Sequence, residues 1–189
     1  MAADREKVTT PEFRVSFPNV FRAASYDGGE PKFNVSMIFS KKADLAAMKA
    51  IAKAAVKAKW GDKPPSNLKN PFRDGTEKEH LDGYGPDTIF VGASTKSRPG
   101  LVDKSLNPII EEDEFYAGCY ARATISAFCY DVKGNKGVSF GLHNIQKLRD
   151  GESFSGRVAA EEDFDKVDDG AWDDDGEKVE AGDDDGFLD

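Results

Sequence analysis

The sequence predicts a mainly β domain with one principal α-helix and long loops, joined to an acidic C-terminal tail. Three observations carry this reading. Apolar and polar residues alternate in several short runs, one run has helical spacing, and the charge changes abruptly near residue 161. The chain has 189 residues, with 26 basic and 35 acidic side chains and a net charge of -9. From Glu161 to Asp189 fifteen acidic residues outnumber two basic ones, Lys166 and Lys178, for a net of -13. The first 160 residues carry 24 basic and 20 acidic groups, a net of +4. The expected division is therefore a folded domain over 1–160 and a disordered acidic tail over 161–189. Such asymmetry is common in nucleic-acid proteins.

Met1 to Thr10 is polar and reads as a loose lead-in. Phe13, Val15 and Phe17 alternate with Arg14 and Ser16, a strand that Pro18 is expected to end. Ser25 to Pro31 is turn chemistry, and Phe33, Val35, Met37 and Phe39 form the apolar face of a second strand. Ile38 interrupts the polar face, so that face is expected to be partly covered. Asp44 is placed to cap a helix running to Trp60, with Gly61 as its stop. Leu45, Met48, Ala52, Ala55 and Val56 fall at helical spacing, and Lys49, Lys53 and Lys57 form a basic stripe. Asp62 to Asp87 reads as a long loop, Thr88 to Thr95 as a third strand, and Lys96 to Pro108 as another loop.

Gly118 to Val132 and Gly137 to Leu148 read as a hairpin turning at Gly134-Asn135. That turn would set Cys129 against Phe140 and Ala127 against Leu142. The face bearing Ile125, Ala127, Cys129, Phe140 and Leu142 is assigned to the core. The opposite face alternates Tyr120, Arg122, Phe128 and Tyr130 with hydroxyl residues. From Glu161 onward, apolar residues are too sparse to offset the entropy of ordering the chain.

Several function classes are disfavoured. No run approaches the roughly 20 apolar residues of a membrane helix, and the N-terminus lacks a signal-peptide core. Cys119 and Cys129 fit neither a zinc site nor a disulfide framework; on one strand they would lie roughly 33 Å apart. A reducing, cytoplasmic compartment follows. His80 and His143 sit in no nucleophile or metal motif, and phosphate-loop and zinc-helix motifs are absent. The Asp runs at 173–175 and 183–185 fail the calcium-loop spacing, because Ala171 and Ala181 fall at the first ligand position. No enzyme, cofactor or metal is expected.

An aromatic and cationic strand face is the surface chemistry that binds single-stranded nucleic acid, where rings stack on bases and cations track phosphates. Base stacking is assigned to Tyr120, Phe128 and Tyr130. Phe72 and Tyr84 are weaker candidates, read rather as plugs that close the end of the domain. Phosphates are assigned to Arg122, Lys133, Lys136, Arg73, Arg98 and Lys96. The acidic tail, through Asp183, Asp184 and Asp185, would compete for the same basic surface at an effective concentration of roughly millimolar. Phe187 at its tip could anchor in a partner's apolar pocket. The rival reading is a protein-interaction or DNA-mimic module acting through the tail.

The chain also resembles the phage-encoded single-stranded DNA-binding proteins of the OB-fold type. The resemblance rests on Gly118-Cys119-Tyr120, on the run from Gly134 to Leu142, on Asn144 to Glu152, and on the early strand-strand-helix order. The acidic tail with a near-terminal aromatic adds to it. It implies a five-stranded OB-type barrel that coats single-stranded DNA during phage replication, recombination and repair in the host cytoplasm. It also implies a tail that modulates DNA access and recruits phage or host replication proteins. Self-association is left open.

Overall fold

The computed structural model describes residues 5–156. In chain order its elements are β1 (Lys7–Thr9), β2 (Phe13–Ala24), β3 (Lys32–Ser40), α1 (Ala46–Trp60) and β4 (Arg73–Asp74). They continue with β5 (Thr88–Thr95), β6 (Gly100–Val102), β7 (Tyr120–Val132) and β8 (Asn135–Arg149). Short 3-10 turns occupy Gly75–Lys78 and Glu112–Glu114.

Five strands pair in a closed ring. β2 pairs with β3 and β3 with β5; β5 pairs in parallel with β8; β8 pairs with β7, and β7 returns to β2. Closing a sheet on itself removes the open edges that would otherwise seek partners. This ring with its single α-helix is the mainly β, five-stranded arrangement that the sequence and its resemblance predicted. The three short strands are additions: β1 pairs with β7, β4 with β5, and β6 with β8.

Alternation places the core inside the ring. Phe13 and Val15 from β2, Val35, Met37 and Phe39 from β3, and Val91 and Ala93 from β5 are buried there. Ala121, Ala123, Ile125, Phe140 and Leu142 complete it from the hairpin, and Met48 and Ile51 of α1 pack on the same cluster. Phe13 and Phe39 meet edge to face, 5.7 Å between centroids. A second, smaller cluster joins Ile38, Tyr84 and Phe90, which explains the apolar interruption on the polar side of β3.

Four expectations need correction. β2 does not stop at Pro18 but continues to Ala24. Its pairing with β3 shifts between Ser16 and Asn19, and a bulge tolerates proline because no ladder N–H is required there. The lead-in is not wholly loose, since Lys7–Thr9 pairs with Thr124–Ser126. The hairpin turns at Lys133-Gly134, with φ of 51° and 81°, so Val132 pairs with Asn135 and Ala127 with Phe140. From Ile125 to Val132 that change moves each partner by two residues, an even step, so the faces assigned there survive; bulges at Thr124/Ile125 and Tyr120/Ala121 absorb the difference toward the start of β7. Finally, the helix N-cap is Leu45; Asp44 instead accepts a hydrogen bond from the Ala46 N–H at 3.0 Å. Gly61 ends the helix as expected, its N–H donating to the Lys57 carbonyl at 2.8 Å.

The 62–87 segment is more ordered than a plain loop. Asp74 Oδ1 accepts from the Thr76 N–H at 3.0 Å and caps the first 3-10 turn. Lys41 Nζ lies 2.7 Å from the other carboxylate oxygen. That contact and the Thr76 hydrogen bonds pull the Asp74 carboxyl down to about 2. The result is a fixed platform for Arg73 and Lys78 above β5.

Candidate functional site

The outer face of β5 is the floor of a cleft built from two adjoining depressions, of about 400 Å³ and 620 Å³. Both are lined by Arg73, Gly92 and Ser139, so they form one continuous channel. Small and polar residues pave it: Asn34 and Ser36 from β3, Gly92 and Ser94 from β5, and Ser139 from β8. Gly92 leaves the centre open, since a Cβ built there meets nothing within 4 Å.

Aromatic rings stand along the first depression. Phe17 is 46% exposed and its φ is 46°, a left-handed conformation that costs a residue with a side chain roughly 1–2 kcal/mol. The bulge at Pro18 imposes that geometry and aims the ring outward. Tyr26, 61% exposed, stands in the β2–β3 turn. Asn19 holds it by donating from Nδ2 to its hydroxyl at 3.0 Å and to Asn34 Oδ1 at 3.1 Å.

Two cations share the platform. Arg73 lies over the Phe90 ring at 4.9 Å, and its Nε donates to Glu77 at 2.9 Å. Lys78 Nζ stands among three rings, 4.9 Å from Phe90, 5.3 Å from Phe17 and 5.6 Å from Tyr84. Burial and the nearby Arg73 charge push the Lys78 ammonium below the usual lysine value, against the opposing pull of Glu77. Cations between ring faces above a polar floor suit a ligand with flat aromatic groups on an anionic chain.

Some of the expected residues converge here. Arg73, Phe72 and Tyr130 line the second depression. Lys133 and Lys136 sit at the hairpin tip beside it, with Tyr130 paired to Gly137 and Lys136 Nζ 3.5 Å from Asp131. Lys96 follows β5 directly and bridges to Glu30 at 2.8 Å, on the turn that carries Tyr26. Arg98 lies over Phe21 at 5.6 Å, outside the cleft lining.

Others fall elsewhere. Tyr120 starts β7, at the other end of the strand from Tyr130, under the Arg149 guanidinium at 3.6 Å. Arg122 donates to Gln146 at 2.8 Å, and Phe128 carries Arg5 at 5.4 Å. A single face of a long twisted strand in a closed ring points in diverging directions, so its residues do not form one surface. Tyr84 is 8% exposed and packs on Phe90, its hydroxyl 3.1 Å from that of Ser36. Phe72 meets Phe140 edge to face at 5.7 Å while still lining the cleft. Asp183, Asp184, Asp185 and Phe187 lie outside the described residues.

Sequence reasoning missed Phe17, Tyr26, Lys78, Phe90 and Gly92. The one available signal was a Phe-Pro step inside an alternating strand, which marks a bulge as readily as an end.

The family model described as the single-stranded DNA-binding protein of Enterobacter phage Enc34 matches residues 6–177. Protein p50 of Acyrthosiphon pisum secondary endosymbiont phage 1 is 35% identical over 175 residues, covering 85% of this chain and 94% of that protein. The bacteriophage Enc34 single-stranded DNA-binding protein, solved in complex with ssDNA, aligns with a TM-score of 0.67 and 21% identity. That alignment covers 79% of this chain and 89% of the other. The bacteriophage T7 single-stranded DNA-binding protein gp2.5 aligns with a TM-score of 0.55 and 13% identity, over 84% of this chain and 99% of that one. At such identities the two solved structures speak for a shared fold.

Proposed function

The chain belongs to the Enc34 family of phage single-stranded DNA-binding proteins, and from that premise we propose that it binds single-stranded DNA without sequence preference in the cleft over β5. The observation that carries this reading is the channel itself. Exposed Phe17 and Tyr26 flank a floor of mostly small residues, open at Gly92, and Arg73 and Lys78 stand over it beside Phe90. Stacking on a ring accepts any base, because every base has a π-face. The protein acts by binding rather than by catalysis, coating single strands during phage replication, recombination and repair.

Fluorescence anisotropy with an oligo-dT probe is the direct test. Affinity weaker than about 10⁻⁴ M, the weak limit of non-specific binding, would refute the reading. The acidic 161–189 segment is the second part of the proposal: it competes with DNA for the cleft and recruits replication partners. Deleting 161–189 should then tighten oligo-dT binding; weaker binding would remove the competitor role. A body without nucleic-acid affinity would favour a protein-interaction or DNA-mimic module acting through the tail.

Lys78 gives the site a pH signature. In the free protein its ammonium already sits below the usual lysine value. A phosphate placed beside it would favour the charged form and raise that value again. Binding therefore takes up a proton at alkaline pH. Affinity should be flat below the free-protein value of Lys78 and fall as pH rises through it. Anisotropy titrations at constant ionic strength would read this, and Lys78→Arg should flatten the profile.

A further inference from the structure

Beside the cleft, α1 and residues 62–72 enclose a groove of about 710 Å³ that the reading above leaves unused. Lys49, Lys53 and Lys57 line its helix side, and Lys69 lines the other. The three helix lysines are exposed. None of these four lysines forms an ion pair among the described residues. Lys69, Asn70, Pro71, Phe72 and Val138 line both this groove and the second depression of the cleft, so the two are continuous.

We propose that this groove is the path by which a bound single strand leaves the cleft: the strand passes over Phe72 and its phosphates run along Lys49, Lys53 and Lys57. The inference rests on the cleft being the DNA site. Four residues of α-helix advance ~6 Å, close to one nucleotide step of an extended strand. The lysine stripe is therefore a ladder in step with phosphates. At the junction Lys49 Nζ stands 6.0 Å from the Phe72 centroid, a cation beside a half-buried ring, as single-strand sites require. The groove floor is apolar, with Ala52, Val56 and Ile89 among its lining, and can receive base faces while the rim holds the backbone. An acidic peptide would match the charge alone. A nucleic-acid strand also matches the spacing and the continuity with the cleft.

The test compares the full chain with the triple variant Lys49→Gln/Lys53→Gln/Lys57→Gln. Oligo-dT probes of about 4 and about 16 nucleotides span the range of site sizes for one OB fold. For the short probe, affinity should stay within about twofold, since it fits the cleft alone. For the long probe, the slope of log affinity against log salt should shrink by about 2, the loss of three phosphate contacts at ~0.7 each. An unchanged slope on the long probe overturns the proposal. So does an equal loss on both probes, which would put these lysines in the cleft itself. If that unchanged slope came with a loss of binding to a poly-glutamate probe, the groove would belong to a protein partner. Failure of the unaltered chain to bind either probe would instead refute the cleft reading. A thermal melt of the variant controls for folding, and exposed lysine-to-glutamine changes leave the core untouched.

Discussion

Gly92→Ile is expected to weaken oligo-dT binding by at least about tenfold, or ~1.4 kcal/mol, without lowering thermal stability. Gly92 lies at the middle of β5, paired with Ser36, and lines both depressions of the cleft. A Cβ there meets no neighbour within 4 Å, so a larger side chain fills the channel rather than the core. Glycine inside a strand costs roughly 0.5–1 kcal/mol relative to alanine, and β-branched residues suit the pleated surface. Stability should therefore hold or rise while the floor is blocked. Anisotropy and a thermal melt on one preparation read both effects. Retained tight binding would mean that DNA does not lie over β5.

Phe17→Ala should cost roughly 1–3 kcal/mol of binding, the usual loss of one stacked base. The glycine variant separates function from packing. Phe17 holds a φ of 46° with nearly half its surface exposed. Its strain is retained without a matching gain in burial, a combination that occurs where a ring is presented to a ligand. Phe17→Gly should lose the same binding as Phe17→Ala, yet unfold at a temperature no lower than the unaltered chain, because glycine adopts this φ freely. If both variants bind normally but melt early, the ring serves the fold instead.

The parts of the fold that sequence revealed were those governed by local period. Thr88–Thr95 matched its run of apolar residues to the residue, and the hairpin kept its faces although its turn moved by one position. The site was less legible because it is made by closure. Phe17, Arg73, Lys78 and Ser139 come from separated segments, and only the ring and the 3-10 platform bring them to one channel. Residues that shared one strand face, Tyr120 and Tyr130, parted because the strand twists around the ring. Arg73, Phe72 and Tyr130 reached the cleft, but alternation alone could not tell their end of the domain from the end holding Tyr120. Charge gave a separate expectation: a net of only +4 in the first 160 residues pointed to a surface in which rings share the work with cations.

The ring is joined unequally. The β7–β8 hairpin pairs through thirteen residue positions and β3–β5 through eight, but two seams pair through two each: β2–β7, and β5–β8 at Ala93 with Phe140 and Ser94 with Gly141. A domain that breathes will part first where the fewest ladder bonds hold it, and its long hairpin will part last. Ala93, Ser94 and Ser139 line the cleft at the β5–β8 seam. If the cleft is the DNA site, a strand laid across it would act as a suture, and its binding free energy would add to the cost of opening. Empty copies would then be the first to unravel and be cleared, so the lifetime of the protein would follow its occupancy.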